Sequence, residues 1–98
     1  MYAITFDIDA KCLREKCIQE THQGAYAKIA KFLENKGFTW KQGSMYFSEN
    51  ICSSVEVAAV AFDLAKEYPW FVKCVKDMHM LKIHEYSDLM PMIQRARN

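Results

Sequence analysis

Met1-Tyr2-Ala3-Ile4-Thr5-Phe6-Asp7-Ile8-Asp9 alternates without a break between large apolar side chains and small or acidic ones. Strand side chains point to opposite faces with period two. The pattern therefore predicts a β-strand with Tyr2, Ile4, Phe6 and Ile8 on one face and Ala3, Thr5, Asp7 and Asp9 on the other. The first face suits packing against helices. The second is small and then acidic, and it brings two carboxylates to a strand end. Such carboxylates serve chemistry in some proteins and merely solvate the strand end in many others.

Downstream, Ala10 to Lys36 has a helical period. Ile18, His22, Ala25, Ile29, Phe32 and Leu33 recur at three- and four-residue spacing, with Lys28, Lys31 and Glu34 between them. An interior glycine costs ~1 kcal/mol relative to alanine, so Gly24 points to a main helix starting near Thr21, with a looser lead-in over residues 10–20. Gly37 then supplies a left-handed stop. Phe38 to Glu49 is rich in β-formers (Phe38, Trp40, Tyr46, Phe47). Within it, Gly43-Ser44 reads equally as a two-residue hairpin turn or as a bulge bending one longer strand.

Ser53, three residues before Glu56, opens a second helix with a capping-box pattern. That helix runs to about Tyr68, where Pro69 stops it, and Pro69-Trp70-Phe71-Val72 reads as an apolar connector. Val75 to Glu85 predicts a last strand, with Val75, His79, Leu81 and Ile83 on one face and Met78, Met80, Lys82 and His84 on the other. His79 is expected to pack near the core. Ser87-Asp88 caps a short final helix reaching about Arg95.

Strand, helix, β-rich segment, helix, strand is the order of an α+β, ferredoxin-like βαββαβ sandwich: an antiparallel sheet with both helices on one face, followed here by a short C-terminal helix. The 98 residues make a single domain, 1–98. The face without helices is expected to carry Ala3, Thr5 and Asp7 together with Met78 and Met80. Exposed methionines in a sheet centre call for cover. A homodimer through that face is the economical answer, and it would bring Asp7 near its copy across a two-fold axis.

Composition excludes several classes. A net charge of +1, from 13 basic and 12 acidic residues, supplies no general field for polyanions. The longest apolar run, Val57 to Phe62, is far too short for a bilayer span. A strand beginning at residue 1 leaves no room for a signal peptide, so a cytoplasmic location without membrane contact is expected. Cys12, Cys17, Cys52 and Cys74 form no Cys-x-x-Cys pair. Free buried thiols are expected, rather than disulfides or structural zinc.

Paired carboxylates such as Asp7 and Asp9 bind a divalent cation or share a proton. Ser44 beside Gly43 is a hydrogen-bond donor or a turn residue, and Lys41, Lys76, Lys82 and Arg95 are candidate phosphate contacts. His79 and His84 are the other proton-shuttle candidates, on opposite strand faces. Read from the residues alone, this is a small αβ dimer with an acidic strand end.

Met1-Tyr2-Ala3-Ile4-x-Phe6-Asp7, Gly37-Phe38-x-Trp40-x-Gln42-Gly43-Ser44-x-Tyr46 and Trp70-Phe71-x-x-x-Val75-x-Asp77, followed by Ser87-Asp88, resemble the virulence-associated protein D (VapD) family over essentially the whole chain. The resemblance implies a small ferredoxin-like endoribonuclease, related in fold to a CRISPR-associated nuclease family. It also implies a homodimeric toxin, paired with a small antitoxin protein where one is encoded beside it. Asp7 is carried over as catalytic, with Ser44 beside it. Gln42 and Tyr46 of the same motif, with Lys41 and Lys76, are the candidates for binding RNA. Asp7 is also the candidate ligand for a divalent cation such as Mg2+. Where the family usually places an Arg-Asp-Ile-Arg-like segment, this chain has Lys76-Asp77-Met78-His79, which loses two planar guanidinium forks. Two other readings remain beside cleavage: a non-catalytic RNA- or protein-binding dimer, and a structural dimer within a larger complex.

Overall fold

The computed structural model describes residues 1–16, 21–51 and 53–97. Its elements run β1 (Tyr2–Ile8), α1 (Ala10–Lys16), α2 (His22–Asn35), β2 (Thr39–Gln42), β3 (Met45–Ser48), α3 (Ser54–Glu67), α4 (Pro69–Cys74), β4 (Val75–Lys82) and α5 (Met90–Arg97). The strands form one antiparallel sheet in the order β2-β3-β1-β4. This is the expected ferredoxin-like arrangement, with the C-terminal helix in place.

Local chemistry sets the boundaries. Thr21 accepts a hydrogen bond from the Gly24 amide at 2.9 Å and so caps α2, separating it from α1. At the other end Phe38 N–H donates to the Leu33 carbonyl and Gly37 N–H to the Glu34 carbonyl, with Gly37 at φ +93°. This Schellman closure needs a residue tolerant of positive φ. Ser53 caps α3 through the Glu56 amide at 3.2 Å. Pro69 does stop α3, but the apolar stretch after it is a helix and not a plain connector, because proline is at home in a first helical turn.

The core lies between the sheet and the helices. Tyr2, Ile4, Phe6 and Ile8 are buried against Leu13, Ile29, Leu33, Phe38, Val57, Leu64 and Phe71. The β1 alternation therefore reads through to packing. The last strand requires a correction. Met78 and Met80 stand opposite Phe6 and Ile4, on the helix-covered face, while Asp77, His79 and Leu81 stand opposite Asp7, Thr5 and Ala3. The open face thus carries an acid, an imidazole and a leucine from β4, not two methionines. His79 is not a core residue: its side chain is 70% exposed.

That open face is partly covered from within. Tyr86 packs edge-on to Phe47, with ring centroids 4.9 Å apart, and Lys41 lies over both rings. Ala3, between Phe47 and Leu81 in the register, is fully buried. The thiol expectation is also overturned at one pair. Cys12 and Cys74 form a disulfide with Cα atoms 5.4 Å apart, within the usual range. It joins α1 to α4 where β1 ends and β4 begins. Cys17 and Cys52 lie outside the described residues. Among the described residues no helix is long and apolar enough to cross a membrane.

Candidate active site at the acidic end of the sheet

The antiparallel register places Asp7 directly opposite Asp77. Cross-strand partners have Cβ atoms only about 5 Å apart, and like charges so placed repel. The β1–β4 register shifts immediately after Asp7, where Ile8 pairs with Val75. Such irregularities re-aim side chains at sheet ends and beside active sites. Lys76 occupies the shifted position and is exposed. His79 Nδ1 lies 3.9 Å from Asp77 Oδ1, extending the polar strip along β4.

Asp9 has a different task. Its Oδ1 accepts the amides of Lys11 at 2.9 Å and Cys12 at 3.1 Å, capping α1. The Cys12 N–H foremost holds its carboxyl below the usual range; burial, the next largest effect, opposes it, and the Lys11 N–H and the charges of Lys76 and Lys11 add to the lowering. Its stabilising contribution is complete above the ordinary carboxylate pKa and fades as pH falls through the lowered one.

Ser44 comes from the β2–β3 connection. β3 begins at Met45, opposite Thr5, so the Phe6 carbonyl lies beyond the ladder, and the Ser44 hydroxyl donates to it. This ties the hairpin to the residue before Asp7. Of the two geometries open at Gly43 the hairpin turn is the one that occurs, and no single longer strand runs through it. Gly43-Ser44 is a two-residue turn closed by the Gln42–Met45 pair, and the register shifts between Trp40 and Gln42. Gly43 has φ +52°, and Trp40 Nε1 donates to its carbonyl at 2.7 Å. A Cβ at Gly43 meets nothing within 4 Å, so substitution there costs backbone strain alone. Gly43→Val should lower stability by about 1–2 kcal/mol in urea titration, and Gly43→Asn by clearly less. Equal midpoints for Gly43→Val and wild type would contradict the left-handed turn.

Tyr46 is buried, stacked 5.9 Å from Phe6, with no ring face open to a substrate. Burial, then the charge of Glu34 and the neighbouring Tyr26, push its hydroxyl pKa up. Gln42 and Lys41 are exposed on the hairpin, Lys41 over Phe47. The structure therefore gathers Asp7, Ser44 and Lys76 at one end of the sheet and adds Asp77, whose pairing only the register reveals. No cluster of three or more metal-ligating side chains occurs among the described residues.

Residues 1–57 match the family described as CRISPR associated protein Cas2. Along nearly its full length the chain is also similar to three curated proteins. It is 47% identical to an Endoribonuclease VapD homolog of Helicobacter pylori, over 96% of this chain and 97% of that protein. It is 44% identical to Endoribonuclease VapD 2 of Riemerella anatipestifer, over 95% and 99%. It is 33% identical to Endoribonuclease VapD of Dichelobacter nodosus, over 98% and 100%.

Proposed function

The chain belongs to the VapD family, with its N-terminal half matching Cas2, and from that membership and its acidic sheet end we propose that it is an endoribonuclease centred on Asp7. The observation that carries this is the placement of Asp7 opposite Asp77 at the open, bulged end of the sheet. Asp7 is exposed, free of the capping duty that occupies Asp9. A carboxylate in that position accepts a proton from a ribose 2′-OH or orients a water at the phosphodiester. Ser44 acts as a positioning residue: its hydroxyl fixes the Phe6 carbonyl and with it the direction of the next side chain. Exposed Lys76 stands beside the acids as a phosphate contact. The two opposed carboxylates fit Mg2+, which takes one or two such ligands and completes its shell with water and phosphate oxygens. When bound, the cation would neutralise charge developing on the phosphate.

Incubating the protein with RNA, with and without EDTA, and identifying the product ends tests the reading. A 2′,3′-cyclic phosphate marks attack by the 2′-OH, whereas a 5′-phosphate with a 3′-hydroxyl marks attack by water. No cleavage under either condition would make the chain an RNA- or protein-binding module.

The acting unit in this proposal is a homodimer. The strip Thr5, Met45 and Leu81 is left half-covered or exposed on the face without helices. A second copy would cover it and bring two Asp7–Asp77 pairs toward one RNA. Thr5→Arg should sediment as monomer at micromolar concentration where wild type sediments as dimer; a monomeric wild type would refute the assembly. The VapD resemblance further supports a role as the toxin of a toxin–antitoxin pair. Induced expression of wild type should then arrest growth, and Asp7→Asn should not.

A further inference from the structure

Around the Gly43-Ser44 turn, His22, Gln23, Tyr26, Gly43 and Ser44 line an open alcove of about 420 Å³ with mainly apolar walls. Its aromatic wall is a ladder of rings. His22 lies 4.7 Å from Tyr26, and Tyr26 stacks 5.5 Å from Phe6 in the core. His22 is exposed at the outer end of this ladder, while Tyr26 and Phe6 beneath it are held by packing. With the His22 ring tilted 59° from Tyr26, the concave site suits a flat aromatic ligand that stacks on one ring and meets the edge of the other.

The alcove is fastened twice to Phe6, the neighbour of Asp7. Ser44 donates to the carbonyl of Phe6. The Tyr26 ring stacks on the Phe6 side chain, and after burial the Asp7 charge is a lesser cause of the raised pKa of its hydroxyl. Whatever occupies the alcove is therefore tied to the backbone one residue before Asp7. Gln23, exposed at the rim, offers two donors and an acceptor to the edge of a ring.

We propose that this alcove is a nucleobase subsite, in which the base beside the scissile phosphate of a single-stranded RNA stacks on His22 and Tyr26 and is read at its edge by Gln23. The proposal rests on the cleavage reading above for its substrate, but not for its test. Single-stranded RNA is gripped by stacking of unpaired bases on aromatic rings, a contribution that tolerates any base. The amide at the rim then supplies discrimination.

The test uses short single-stranded oligoribonucleotides carrying each of the four bases on either side of a cleavage site. Their binding to the Asp7→Asn protein is measured by fluorescence anisotropy, and their cleavage by wild type as kcat and KM. His22→Ala should weaken binding about 10-fold, as loss of one base-stacking ring does, with the loss in cleavage falling mainly on KM. His22→Phe should restore most of the affinity. Gln23→Ala should flatten the preference among bases. His22 and Gln23 are exposed in the first turn of α2, and Tyr26 keeps its own packing on Phe6, so both variants should fold. Unchanged affinity and base preference in His22→Ala and Gln23→Ala, or no binding of any oligonucleotide, would overturn the subsite. Binding that responds to these variants without any cleavage would uphold it and dismiss the nuclease reading instead.

Discussion

Asp7→Asn should lower RNA cleavage by about 10²-fold or more, the scale of a positioned acid or base, without lowering the melting temperature. The substitution keeps size and shape but removes a charge that faces Asp77 across the strand pair. Opposed like charges cost a few tenths of a kcal/mol up to about 1. Relieving them should leave stability unchanged or slightly higher, so activity and stability would move in different directions. That combination separates a functional acid from a structural one, whose loss would lower both. Asp77→Asn should show the same signature. The double variant should lose little beyond either single one, because groups acting as a unit are not additive. Asp9→Asn is the control. Asparagine caps a helix nearly as well as aspartate, so cleavage should change little. Full activity in folded Asp7→Asn would remove Asp7 from the mechanism.

The contrast between Asp7 and Asp77 shows what the chain spelled out and what it withheld. Strict alternation over β1 names its buried face directly, since four large apolar residues at period two leave no other packing. Along β4 the same parity groups Met78 with Met80 and Asp77 with His79, yet it does not say which group meets the helices. Only the pairing of Met78 with Phe6 decides that, and pairing between residues so distant in sequence leaves no local trace. Asp77 was for the same reason legible as a matched residue but not as the partner of Asp7. His22 falls on the three- and four-residue stripe of α2, which marks a core face, but as the first residue of the helix it is exposed. Tyr26, half-buried on the same helix, lies four residues after His22 and three before Ile29, so the spacing marks it as a core position without telling that its ring reaches Phe6. The alcove depends on Ser44 and Gly43 reaching α2 from another element, and no spacing rule announces that.

Loss of the Cys12–Cys74 crosslink should be the largest stability effect of any single change considered. The bridge spans 62 residues, and closing a loop of that length restricts the unfolded chain by about 4 kcal/mol in the chain-entropy account. Small domains are stable by only about 5–15 kcal/mol in total, so the crosslink accounts for a large share. Cys12→Ala isolates the effect. Cys74 is 2% exposed, and its freed thiol stays in the core as a small apolar group, so no cavity or buried polar group is introduced. Cys74→Ser would add the cost of an unpaired hydroxyl in the same place. Reduction of wild type with dithiothreitol should reproduce the Cys12→Ala midpoint in urea and have no effect on that variant. Cleavage at 25 °C should survive in both, because the ladder from Tyr2–Lys82 to Asp7–Asp77 fixes the acidic pair independently of the bridge. Identical midpoints for oxidised and reduced wild type would show that the crosslink contributes nothing to stability. A loss of cleavage in folded, reduced protein would show that the ladder alone does not hold Asp7 in place.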